Sequence, residues 1–94
     1  MKQIIWYLIA GTRGGETRAR IIKVVKKTPM NANQLTKTLK LDYKTIQHHL
    51  KILVDNHIFH VVNKGKYGAV YFLSSGMEEN LKELGSIWER FGQK

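Results

Sequence analysis

Apolar residues recur at helical spacing through the middle of this chain, with shorter apolar runs on either side. Residues 31–58 read NANQLTKTLKLDYKTIQHHLKILVDNHI. Leu35 and Leu39 stand four apart, and Ile46, Leu50, Leu53 and Val54 fall at i, i+4, i+7 and i+8. Each set predicts one apolar face of a helix. Asn31 suits the N-cap of the first helix, with Gln34 three positions inside as the reciprocal partner of a capping box. Leu41 packs the turn, and Asp42 caps a second helix that starts at Tyr43. The pair reads as a helix-turn-helix.

The flanks are predicted from the same pattern. Ile4–Ala10 is a short apolar run whose periodicity allows a helix or a strand. Gly11–Thr17 follows as a flexible, glycine-rich turn. A helix then spans about Glu16 to Lys27, with Ile21, Ile22, Val24 and Val25 as its core face and Arg18, Arg20, Lys23, Lys26 and Lys27 solvated. Thr28-Pro29 ends it, because proline excludes helical geometry from the residue before it. Met30 is a short link that can form a strand. Beyond Asn56, Ile58–Val62 and Ala69–Leu73 are β-branched and aromatic and flank Asn63-Lys64-Gly65-Lys66-Tyr67-Gly68, a β-hairpin by composition and by its turn. In the tail either Ser74 or Ser75 can cap a last helix over residues 75–92, and Ser75 with Glu78 matches a capping box. Met77, Leu81, Leu84, Trp88 and Phe91 recur there at coiled-coil spacing.

Charge changes the picture more than composition does. The chain of 94 residues carries +9, distributed as +6 over residues 1–30, +4 over 31–73 and −1 over 74–94. A basic body suits a polyanion, and a balanced tail suits protein contact. There is no cysteine, which removes disulfides and thiolate metal sites and agrees with the cytosol. No segment reaches the roughly 18 apolar residues that span a bilayer. No small-residue cleavage site follows the N-terminal run, which argues against a signal peptide.

On the second central helix, Lys44, His48, Lys51 and Asp55 project opposite the apolar face, flanked by Tyr43, Thr45 and Gln47. Hydrogen-bonding side chains near a helix N-terminus are what a recognition helix brings to base edges. Directly after such a helix, Lys64 and Lys66 become the tip of a wing that can lie along a DNA backbone or minor groove. His48 and His49 point about 100° apart and do not readily bind one ion together. His49 lies at the edge of the apolar face, as a structural residue, while His48 points outward. His57 and His60 sit at a helix–strand junction with no carboxylate cluster nearby, so no metal or cofactor is expected. The glycine-rich turn lacks the Gly-Lys-Ser/Thr of a phosphate loop, and Glu16 would repel phosphate.

The pattern TRGGETRARII…NANQLTKTLKLDYKTIQHHLKIL, with a hairpin carrying Gly-Lys-Tyr-Gly, resembles the ArsR-type winged helix-turn-helix regulators, and their archaeal members especially. The likeness covers roughly residues 11–74 and is most specific over Asp42–Leu53. It implies a helical rather than extended Ile4–Ala10. The expected fold is mostly α with a small β-hairpin, a single domain over residues 1–94 with a winged core at 16–73. It also implies sequence-specific binding of double-stranded DNA as a homodimer. The helix from Tyr43 would enter the major groove, and Asn63–Gly68 would flank it. Metal-sensing members use cysteine motifs that this chain lacks, so no effector is implied.

Two apolar stripes exceed what a small winged helix needs to cover. They predict a two-fold interface from Ile5 and Leu8 with Leu81, Leu84, Trp88 and Phe91. An enzyme is disfavoured, because nothing pairs a nucleophile with a base. A winged protein-interaction module is the alternative, though it would not need Lys44, Lys51, Lys64 and Lys66. RNA binding would call for more stacking aromatics than Tyr43 and Tyr67.

Overall fold

The computed structural model describes residues 1–63 and 65–92. Six helices and three short strands follow one another along them. Helix α1 (Lys2–Ala10) leads into α2 (Gly15–Lys27), strand β1 (Met30–Asn31), α3 (Ala32–Leu39) and α4 (Tyr43–Asp55). Strands β2 (Phe59–Asn63) and β3 (Ala69–Leu73) form the hairpin, and α5 (Ser75–Glu79) and α6 (Leu81–Ile87) close the chain before a π turn at Trp88–Gly92.

The local signals act where the sequence places them. Asn31 accepts from the Gln34 backbone N–H at 2.8 Å, and the Asn31 N–H donates to the Gln34 side chain at 2.9 Å, a complete capping box. Asp42 accepts the Thr45 backbone N–H and caps α4. Between the two helices Lys40 adopts φ +58°, the left-handed geometry that ends α3 and turns the chain. On α2, Glu16 in the first turn and Lys26 and Lys27 in the last complement the helix dipole. Thr28 is already extended ahead of Pro29.

The strands make one antiparallel sheet in the order β1-β3-β2. Met30 pairs with Tyr71, so the link before α3 becomes a third strand on the hairpin. His60 opposes Phe72 and their rings stack at 5.2 Å. The core gathers Ile5, Ile21, Ile22, Leu35, Ile46, Leu50, Leu53, Ile58, Phe59, Met77 and Ile87, all nearly inaccessible to water. Each such aliphatic side chain contributes about 1.5–3 kcal/mol by leaving water.

Several expectations are corrected here. The Gly11–Thr17 turn is a close approach rather than a flexible link. A Cβ on Gly15 would stand 1.7 Å from the Ile9 carbonyl oxygen, and Gly14 sits at φ +87° with its missing Cβ 2.8 Å from His49 Cε1. Only glycine lets α1 and α2 pass so near each other. Ser74, not Ser75, caps α5, accepting from the Met77 N–H at 3.0 Å while donating to the His57 carbonyl at 2.7 Å. The tail is not one helix either. It breaks at Asn80, whose side chain turns back to the Gly76 carbonyl at 2.8 Å. Met77, Leu84 and Ile87 face inward while Leu81 and Trp88 are only half-buried.

The packing of α1 on both α2 and α6 corrects the reading of the termini as uncovered apolar stripes. Ile5, Leu8 and Leu84 are buried within their own chain, Leu84 at 3 % exposure. Trp6 donates its indole N–H to Glu83 at 2.9 Å, tying α1 to α6. The Phe91 side chain lies outside what is described.

Candidate nucleic-acid interface

Helix α4 divides its residues by face. Ile46, His49, Leu50 and Leu53 are buried, while Tyr43, Lys44, His48 and Lys51 are exposed and Thr45 and Gln47 half-buried. The polar side is partly organised already. Gln47 Nε2 donates to the Tyr43 hydroxyl at 2.7 Å, one helical turn back. Thr45 donates its hydroxyl to Asp42 Oδ1 at 2.5 Å, so that group serves the cap. The same hydroxyl and the Thr45 N–H hold the Asp42 carboxyl below its ordinary pKa. Lys51 pairs with Asp55 at 3.0 Å in an exposed contact, worth little in stability but enough to orient the ammonium group.

The N-terminal end of α4 does not stand alone. A cleft of about 140 Å³ is lined by Asn31 and Asn33 from the start of α3, Tyr43 and Gln47 from α4, and Gly68 and Tyr71 from the hairpin. Three elements far apart in sequence therefore meet around the side chains predicted to meet base edges. Burial, with Tyr43 nearby, raises the Tyr71 phenol above its ordinary pKa, so it stays protonated as a hydrogen-bond donor. Lys66 is exposed on the turn Gly65–Tyr67 at the hairpin tip. Lys64 lies outside the described residues.

Sequence reasoning missed one residue that fixes where α4 sits. Arg18 was expected on the solvated face of α2, yet it is 3 % exposed. Its Nε donates to the Leu8 carbonyl at 2.8 Å, Nη2 to the Arg13 carbonyl at 3.0 Å and to the Thr12 hydroxyl, and Nη1 faces His49 Nδ1 at 3.2 Å. A guanidinium only donates, so His49 must present a lone pair at Nδ1 and carry its proton on Nε2. Burial first, then Arg18 and His48, push the His49 pKa down, which agrees with a neutral ring. Carbonyls near the C-terminus of α1 supply the negative end of a helix dipole to the buried cation. The signal was present in the spacing, because Arg18 leads Ile21, Ile22 and Val25 at i+3, i+4 and i+7 along the buried face.

Among the described residues no group of three His, Cys, Asp or Glu side chains could hold a metal ion. Nor is any described helix long and apolar enough to cross a membrane.

A three-helix core with an outward polar helix, followed by a hairpin on a three-stranded sheet, is a winged helix-turn-helix. Residues 15–57, from the first residue of α2 to the one that turns the chain into the sheet, match the family of bacterial regulatory proteins of the arsR family. That segment is similar to an ArsR-family helix-turn-helix, and the match together with the winged-helix fold supports a DNA-binding transcriptional regulator. Two solved structures share the fold. HlyU from Vibrio cholerae superposes with a TM-score of 0.70 at 16 % identity, covering 98 % of this chain and 94 % of that one. Its reduced form gives 0.69 at 15 % identity, covering 98 % and 90 %. No curated protein sequence matches the chain. The matching family is described as bacterial and both structures are from a bacterium, so the archaeal likeness finds no support there.

Proposed function

We propose that the protein is a sequence-specific regulator that binds duplex DNA as a homodimer, in the cytoplasm and without a cofactor. The observation that carries the reading is the polar face of α4. It presents Tyr43, Lys44, His48 and Lys51 to solvent, with Gln47 half-buried beside them, while Ile46, Leu50 and Leu53 anchor the same helix in the core. A helix held so rigidly from behind can enter a major groove about 12 Å wide. Gln47 and His48 read base edges there, Lys44 and Lys51 meet phosphates, and the hairpin tip with Lys64 and Lys66 follows the backbone or the minor groove.

One recognition helix reads only a few base pairs, so two copies related by a two-fold axis serve a site with half-sites one DNA turn apart. Because Ile5, Leu8 and Leu84 are covered within the chain, the proposed dimer surface lies beside them on the terminal helices. Accessible on the terminal helices are Tyr7 on α1, at 59 % exposure, and the stripe Leu81, Gly85 and Trp88 at i, i+4 and i+7. Nothing lies within 4 Å of the Cβ position of Gly85, which leaves room for a second helix to approach closely.

Fluorescence anisotropy with a labelled genomic-fragment duplex, against single-stranded RNA of equal length, tests the reading. The duplex should be bound more tightly, and Lys44→Ala with Lys51→Ala should weaken it. Preference for the RNA, or indifference to both lysines, would overturn the assignment of α4.

A further inference from the structure

We infer that Tyr43 is a positioning residue that sets Gln47 to read adenine at one place in each half-site. This rests on the proposed entry of α4 into the major groove. The Gln47 amide has two N–H groups and one carbonyl oxygen. One N–H is engaged by the Tyr43 hydroxyl at 2.7 Å. In the inferred arrangement the engaged N–H is the one anti to the carbonyl, which leaves the carbonyl oxygen and the syn N–H together on the opposite edge of the amide. An acceptor beside a donor matches adenine, which offers its N6 amino group and its N7 lone pair in the major groove. Guanine offers two acceptors there and leaves the amide oxygen unmatched.

Held this way, the amide need not choose its orientation on binding, so less side-chain freedom is lost when the base is met. The arrangement is local to α4 and lies on its exposed side. Tyr43 is the first residue of the helix, next to the Asp42 cap, and Gln47 is half-buried one turn later. Tyr43 also keeps its own O–H, which can donate to a DNA phosphate. A lost phosphate contact lowers affinity for all sequences alike, whereas a lost positioning contact changes the ratio between bases. The two roles therefore separate in one experiment.

Wild type, Tyr43→Phe and Gln47→Ala are each used to select from a random-sequence duplex library, with melting curves to check that the variants fold. Wild type should enrich adenine at one position per half-site by about tenfold, the scale of a good amide–adenine pair. Gln47→Ala should erase that preference alone. Tyr43→Phe, which keeps the ring and removes only the hydroxyl, should reduce it to about threefold while the other positions keep their profile. An unchanged profile in Tyr43→Phe overturns the inference, and so does guanine at the Gln47-dependent position, since the amide would then present its donors instead. Enriched sites with no Gln47-dependent position overturn the inference but leave the regulator reading standing. Absence of any enriched sequence overturns both.

Discussion

Nη1 of Arg18 lies 3.2 Å from Nδ1 of His49, so helix α2 and the helix with the polar face share a buried hydrogen bond. Through its other donors Arg18 also holds the end of α1 and the turn after it. One cation thus locks three elements against the back of α4, with no carboxylate in the arrangement. Protonating His49 would remove the only lone pair that Nδ1 can offer and place a second positive charge beside the first.

The sign of the pH effect follows. The folded state lowers the His49 pKa, whereas the unfolded chain returns it to about 6.5. Below that value the unfolded state binds more protons, so stability falls as pH drops. The contribution is fully present above pH ~6.5 and is lost progressively beneath it, down to the folded-state value. The melting temperature of wild type should fall between pH 7.5 and 5.5 by more than that of His49→Gln, which keeps an acceptor for Arg18 but does not titrate. Parallel curves for the two proteins would contradict the buried neutral histidine.

Gly15→Ala should be among the most damaging single changes in the chain. The added methyl would meet the Ile9 carbonyl oxygen at 1.7 Å, a backbone atom that cannot swing aside. Relief requires α1 to move off α2, at about 3 kcal/mol or more. Chemical denaturation should report that loss. A loss below ~1 kcal/mol would mean that the two helices can separate freely.

How much of this was readable in advance depended on how far each signal reaches along the chain. The capping box at Asn31–Gln34, the Asp42 cap and the face Ile46–Leu50–Leu53 are decided within a turn or two, and all are found. The hairpin is found as well, gaining β1 from the Met30 link. Arg18 was misread because charge was given more weight than spacing, though its partners Leu8 and His49 lie 10 and 31 residues away. The glycine pair looked like a flexible turn because the carbonyl it must avoid belongs to another helix. The tail's single helix is interrupted at Asn80, where the side chain turns back to the Gly76 carbonyl, and its seam is partly spent on the chain's own core, as Met77 and Leu84 show. Which side chains of α4 touch DNA is a property of the complex, and the sequence pattern supports it only as far as exposure does.

The dimer makes a prediction that distinguishes covered from uncovered apolar residues. Tyr7→Glu with Leu81→Glu should sediment as a folded monomer and bind DNA far more weakly, because like charges would meet across the two-fold axis. Leu84→Glu should instead unfold the chain, since it places an unpaired charge in the core. A double variant that remains dimeric would move the interface away from α1 and α6.

Reading and anchoring should separate on α4 and the hairpin. His48→Ala should relax base preference at specific sites, by about 1–3 kcal/mol. Lys66→Ala, and Lys64→Ala beside it, should weaken all duplexes by about the same factor. Loss of sequence preference in the lysine variants, with a uniform loss in His48→Ala, would reverse the assignment of groove helix and wing.

The most direct measurement is a salt titration of binding to a duplex that carries an inverted repeat. With +10 over the first 73 residues, cations on α4 and the hairpin should displace counterions from phosphates. The logarithm of affinity should fall linearly with that of salt, with a slope of about −0.9 for each phosphate contacted. For six contacts that is a loss of roughly a thousandfold or more between about 50 and 200 mM salt. An affinity unchanged across that range, or no binding at the lower end, would contradict the account of this protein as a regulator that works on DNA.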